Sequence, residues 1–341
     1  MTKNNLLLIT FIIIINSCAA VETSNLPESL TVIPEVNENQ KFIDYLDSDW
    51  EQTLINNPLF ATYTGDKRFN DKINPNTIDQ FNKVRNQDLE SLKKLMAINE
   101  EKLDKDNKLN YKLKKFDIES DLNLSQFPIY YLRLNQRGGI QSFYETGNRL
   151  VYQSKKDYED WLNRLSQFTE NIYTFLEINK EGLEKGYTQP KLVTRGVISQ
   201  IDAIINSDIE LNPYLKVFLE ANEEYFSKDE KEKLINDAKQ LIQKEINPAY
   251  ESLNNFLKNQ YLINSRESIG IKDIPDGKKY YEQLAKHYTT TDLTPDEIHE
   301  IGLREIQRIR AEMEEIIDSV NWDGDFESFL NYLRTSPRFY Y

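Results

Sequence analysis

Residues 154–182 read SKKDYEDWLNRLSQFTENIYTFLEINKEG. Ser154 sits where a helix N-cap belongs, because its hydroxyl can accept from the free N–H groups of a first turn. Behind it Tyr158, Trp161, Leu162, Leu165, Phe168, Ile172, Phe175 and Leu176 recur at three- and four-residue spacing. That period predicts one long helix with a wide apolar stripe, and such a stripe must be buried against other elements. The glycines from Gly182 to Gly186 predict its end, and Pro190 opens a further helix running to about Asn206.

Working outward, the same period recurs on both sides. Phe42, Ile43, Leu46, Trp50 and Leu54 mark a helix that Pro58 ends, and Asn56-Asn57-Pro58 and Thr64-Gly65-Asp66 are turn chemistry. Helices are predicted from Thr77 to about Ile98 and from Asn110 to Leu124. Residues 126–150 hold Pro128, Gly138, Gly139 and Gly147 among aromatics, which predicts an irregular loop or a short hairpin. Ser227-Lys228-Asp229-Glu230 is a capping box for a helix reaching Tyr261, with a kink expected at Pro248. Ile271 to Gly277 reads as a loop. Thr294-Pro295-Asp296-Glu297 combines a capping box with proline in the first turn; Ile298, Ile301, Ile306, Ile309, Met313, Ile316 and Ile317 follow on one face. A final short helix holds Phe326, Phe329, Leu330 and Leu333. Alternating strands are few and no repeat has a fixed period. The class is all-α, with packed helical layers.

The first residues are of another kind. Lys3 precedes a ten-residue apolar run, Leu6 to Ile15, interrupted by Thr10. This is the length of a signal-peptide core and too short to cross about 30 Å of hydrocarbon as a helix. Ile15-Asn16-Ser17-Cys18 then resembles the lipobox of bacterial lipoproteins, in which the cysteine is acylated and the preceding peptide removed. Cys18 is the only cysteine of the chain. The reading is a signal peptide over residues 1–17, a lipidated Cys18 with a polar, proline-bearing tether over 18–38, and a helical domain over 39–341. The alternative is an ordinary secretory signal with an incidental cysteine. Ala19 in place of Asp resembles outer-membrane sorting signals, so the expected location is exported and lipid-anchored to the bacterial envelope, at the outer membrane and facing the periplasm.

The 341 residues carry a formal charge of -14, with 39% hydrophobic and 11% aromatic residues. The apolar content supports a large core. The negative balance repels phosphate backbones and anionic headgroups, which argues against nucleic acid as partner. With one cysteine no intrachain disulfide can form.

Candidate chemistry is sparse. The two histidines are His287 and His299. His299-Glu300-Ile301-Gly302-Leu303 lacks the second histidine one turn on that a zinc-peptidase helix needs. No nucleophile elbow, phosphate loop or dinucleotide fingerprint occurs. Carboxylates abound, with 56 acidic residues, so chance pairs are expected and none stands out as a general acid and base. No catalytic or metal-binding residue is assigned.

Several segments, taken in order, resemble a bacterial family of helical proteins, domain of unknown function 885. These are Asn57-Pro58-Leu59-Phe60-Ala61-Thr62-Tyr63-Thr64-Gly65-Asp66, Leu134 to Gln141, Lys156-Asp157-Tyr158, Gly182 to Pro190, Asn247-Pro248-Ala249-Tyr250, Ile274 to Tyr281, Tyr288 to Thr291, Thr294 to Leu303, and Arg334 to Tyr340. Members are described as metallopeptidase-like. The resemblance implies a helical, cleft-forming fold similar to zinc dipeptidases, with this chain as the N-terminal half and one wall of the cleft. The family's zinc motif, His-Glu-Ala-x-Pro-Gly-His-His, belongs to a C-terminal half, and no position here matches it. The chain is thus expected to be a fragment, inactive alone and without cofactor, zinc being expected only in a full-length homologue. Gln141, Tyr281 and His287 are the candidates for cleft-lining roles. The expected partners are the membrane, through the lipid, and a peptide or small-molecule ligand. The alternative function is a non-catalytic, lipid-anchored helical binding protein of the periplasm.

Overall fold

The computed structural model describes residues 37–340. The expected signal peptide over residues 1–17, Cys18 and nearly all of the expected tether over 18–38 lie outside the described residues. Helices account for the regular structure. The longer ones are α1 (Glu38–Asn56), α3 (Ile78–Met96), α4 (Lys105–Leu124), α6 (Lys155–Glu184), α7 (Lys191–Ile205), α9 (Lys228–Leu241), α10 (Asn247–Phe256), α12 (Gly277–Thr289), α13 (Pro295–Ser319) and α14 (Phe326–Thr335). Short helices α2 (Pro58–Tyr63), α5 (Tyr144–Arg149), α8 (Lys216–Leu219) and α11 (Leu262–Asn264) connect them. No sheet occurs among the described residues; one isolated bridge joins Pro190 and Arg266.

The principal core forms on α6. Trp161, Leu165, Phe168, Ile172 and Phe175 are at most 3% exposed and pack with Val197 and Ile201 of α7 and Ile246, Tyr250 and Leu253 from the α9–α10 region. A second core joins α1, α3 and α4 through Phe42, Tyr45, Leu95, Tyr111 and Ile118. Ser154 caps α6 as its sequence predicts, accepting from the Asp157 amide. Gly186, at φ 79°, supplies the left-handed residue that ends it.

Three departures from the sequence pattern have local causes. The chain from Lys228 to Asn264 is one helical run that passes Pro248 through a π-helical turn, Ile242–Ile246, and holds a second at Leu257–Tyr261. Proline has no N–H to donate, and the ladder widens to i→i+5 bonding just before it. The Asn247 amide accordingly donates to Ile242 O. Helix α4 starts at Lys105, five residues earlier than its apolar pattern, because the Asp104 carboxylate accepts from the Asn107 amide. Residues 126–150 form 3-10 turns and α5 with no hairpin. At Gly147 an added Cβ would lie 2.4 Å from the Trp161 ring. That close approach lets Trp161 stack on Phe143, which in turn stacks on Phe168 at 4.2 Å.

Asp157, Asp160 and Arg164 are the buried charged residues of α6, and Arg164 is the most enclosed. Arg164 is 1% exposed. Its guanidinium donates to Lys72 O, Pro58 O, Phe69 O and the Thr62 hydroxyl, at 2.6–3.1 Å. Burial lowers its pKa to about 10, still high enough to keep it charged at neutral pH. Replacing it in Arg164→Met removes one charged donor from three carbonyls and a hydroxyl and leaves the Lys72 carbonyl without its identified partner. The expected loss is about 3 kcal/mol, read as a lower midpoint in urea. A midpoint within error of the parent would show that water serves these acceptors equally well.

Candidate functional site

The described residues hold one concentration of interacting polar groups around a sequence candidate. It lies where α1, α3, α4 and α12 approach one another. His287, on α12, hydrogen-bonds through Nδ1 to the Ser120 hydroxyl of α4 across 2.6 Å. On the neighbouring helices Tyr45 bonds Ser91 at 2.8 Å, Ser91 donates to Asp49 at 2.8 Å, and Lys114 pairs with Asp49 at 2.7 Å. Asp88, on α3, faces this group half-buried. Burial, then the charge of Asp121, raises its pKa to about 6, and Lys114 offsets only part of this. Burial and Asp117 also raise the Asp121 carboxyl. Burial pushes the Tyr45 hydroxyl up to about 12.

The elements explain this collection. Asp49, Asp88, Asp117 and Asp121 each lie on a helix whose apolar residues enter the second core, so packing that core draws the carboxylates together at its edge. Chemically the arrangement can hold or release a proton near neutrality at Asp88. It offers no activated nucleophile. Among the described residues no group of three or more His, Cys, Asp or Glu side chains is placed to hold a metal ion. The residues of this cluster therefore do not fit zinc, whose sites need at least three protein ligands.

The three sequence candidates occupy different settings. Gln141 is 2% exposed and donates to Asn135 O and to Gln200 of α7, with its Oε1 unpartnered. Tyr281 and His287 share α12, and Tyr281 is 51% exposed. His287 meets Tyr288 edge-on at 4.8 Å between ring centroids. Tyr281 and His287 thus belong to one helix, whereas Gln141 belongs to the core beside α7. Ser120, Asp88 and Asp49 escaped the sequence reading. The only local signal is the four-residue spacing of Asp117 and Asp121, which is indistinguishable from an ordinary solvated helix face.

Two open grooves border α3. One, of about 460 Å³, is lined by Thr77, Ile78, Thr174, Glu177, Lys180 and Glu181 between α3 and α6. The other runs along α3 past Asn82, Asn86 and Glu90. No helix among the described residues is long and apolar enough to cross a membrane.

The described residues form an all-helical framework. The profile of the family described as bacterial protein of unknown function (DUF885) matches residues 58–341. The chain belongs to that family. A comparison with curated proteins gives no match. Among solved structures the chain is similar to one from Colwellia psychrerythraea described as a lipoprotein, at 22% identity and a TM-score of 0.74. The match covers 89% of this chain and 55% of that one, so the chain spans about half the length of the structure it resembles.

The raised Asp88 pKa sets a pH dependence. Between the ordinary carboxylate value and about pH 6 the folded protein holds a proton that the unfolded chain has lost, so stability falls as pH rises through that window. Asp88→Asn removes this term. The expected result is a higher melting temperature than the parent at pH 7.5 and little difference at pH 4. An equal shift at both pH values would mean that Asp88 titrates as an ordinary carboxylate.

Proposed function

We propose that the chain is the N-terminal part of a lipid-anchored, metallopeptidase-like protein of the bacterial envelope. In this reading it provides the helical framework that lines one side of a peptide or small-molecule site. The observation that carries the reading is the family match over residues 58–341, together with similarity to a solved structure described as a lipoprotein. Cys18 follows the Ile15-Asn16-Ser17 stretch at the position where acylation would require it. More than one acyl chain gives the firm anchorage that a single chain does not. The tether past Pro27 and Pro34 would hold the helical domain off the membrane. The chain's acidic balance gives anionic headgroups no electrostatic hold, so attachment rests on the lipid.

The described residues supply neither a metal site nor a nucleophile, so no hydrolytic step is assigned to them. Metal ligation and bond cleavage belong, in this reading, to the part of the family fold that the chain does not span. The groove between α3 and α6 and the exposed side of α12 are the surfaces available to a ligand.

Two measurements test the proposal. Metabolic labelling with palmitate should mark the parent chain and leave Cys18→Ser unlabelled and released from the membrane fraction. Equal labelling of both would remove the anchor from the reading. Elemental analysis should find zinc in the product of the reading frame extended past Tyr341 and none in the 341-residue chain. A longer product without zinc would end the metallopeptidase-like reading.

A further inference from the structure

Helix α13 shows an apolar seam that the other described residues leave uncovered. Ile306, Ile309, Met313, Ile316 and Val320 follow one another at alternating spacings of three and four residues and are 36–66% exposed. That alternation is the a/d register of helices packed knobs-into-holes. Over the residues 302–320 it extends about 27 Å along the helix. Only Ile317 is buried, beside the seam. On that flank Arg310 lies over the Phe326 ring of α14 at 3.5 Å. Ion pairs form along the helix itself: Arg308 pairs with Glu305 and Glu312, and Arg310 with Glu314. The seam thus has α14 along one flank, ion pairs on its polar side and open space over its apolar residues. Continued one step back, the register reaches Gly302, where an added Cβ would meet nothing within 4 Å. Glycine costs a helix interior about 1 kcal/mol relative to alanine, and its benefit is close approach of another backbone.

We infer that the α13 seam is the docking face for an apolar helix from the part of the family fold that this chain does not span. Two observations select this occupant over a second copy of the chain. The similar solved structure extends well beyond its matched 55%, so the fold carries further protein that must pack somewhere. Ile309 and Ile316 hold the d positions and Ile306 one of the a positions; isoleucine at d favours packing among three or more helices over a two-stranded pair, and α13 with α14 already provides two. The inference rests on family membership and on the exposed seam, and stands apart from any peptidase chemistry.

The test is the reactivity of a thiol placed on the seam. Ile309→Cys is made in the 341-residue chain and in the product of the reading frame extended past Tyr341. Both are treated with a maleimide under native conditions, with the parent proteins that lack the added cysteine setting the background. The expected result is rapid labelling of the shorter chain and at least about tenfold slower labelling of the longer product, because a covered side chain reacts only through local opening. Met313→Lys, added to the longer product, should restore rapid labelling while leaving the circular dichroism of the protein unchanged. Equal rates in both products would overturn the inference. So would protection already present in the shorter chain with a dimeric mass by light scattering, which assigns the seam to a second copy. A reading frame that stops at Tyr341 would also overturn it, since no segment would remain to dock. Zinc content is read separately on the same longer product, so the docking inference and the metallopeptidase-like reading can fail independently.

Discussion

A guanidinium that is 1% exposed must find acceptors inside the protein, and Arg164 finds all of its identified ones on a single stretch of chain, residues 58–72. Leaving a buried charge without hydrogen bonds costs several kcal/mol, so the position of that stretch is tied to the position of α6. Pro58 and Thr62 belong to α2, and Thr62 in turn donates to Asn70. The turn between α1 and α3 is therefore held against the central helix by polar contacts, where most of the fold relies on apolar packing. The two cores, one on α6 and one on α1, α3 and α4, meet across this link.

The acidic cluster follows from the same arrangement. Once α1, α3 and α4 bury Phe42, Leu95 and Tyr111, the next residues along each helix are brought together whatever their charge. Asp88 bears the consequence as a pKa near 6. Lys114, Ser91 and Ser120 limit the repulsion by pairing with Asp49 and His287. The chain thus keeps one proton-holding group near neutrality at a helix junction. Such perturbed groups occur both at functional sites and in structural networks, and among the described residues this one has no metal-ligand set beside it.

Much of the architecture was legible before any coordinates. The N-caps Ser154, Ser227 and Thr294 and the glycine stop after α6 act within four residues, so their reading needs no knowledge of the rest of the chain. The resemblance carried by the ordered segments from Asn57 onward agrees with the family match. Arg164 left a trace as a charge at a stripe position between Trp161 and Phe168, yet its acceptors lie about a hundred residues away and no local pattern names them. The π turn before Pro248 was hidden for a related reason. Whether the ladder widens ahead of a proline depends on what packs around it, here a core that holds Ile246, Tyr250 and Leu253 in place.

Helix α13 divides the two sources of information most clearly. Its capping box, length and apolar period are properties of residues 294–320 alone, because capping and helical periodicity are local. That its apolar face is open was a matter for tertiary structure, since a stripe states that cover is required and says nothing of which element supplies it. The sequence by itself determined the helical class, the capped starts at Ser154, Ser227 and Thr294, and the family. Only the tertiary structure decided which stripes are buried, where Arg164 finds its acceptors and which carboxylates share a junction, because each depends on contacts between segments far apart in the chain.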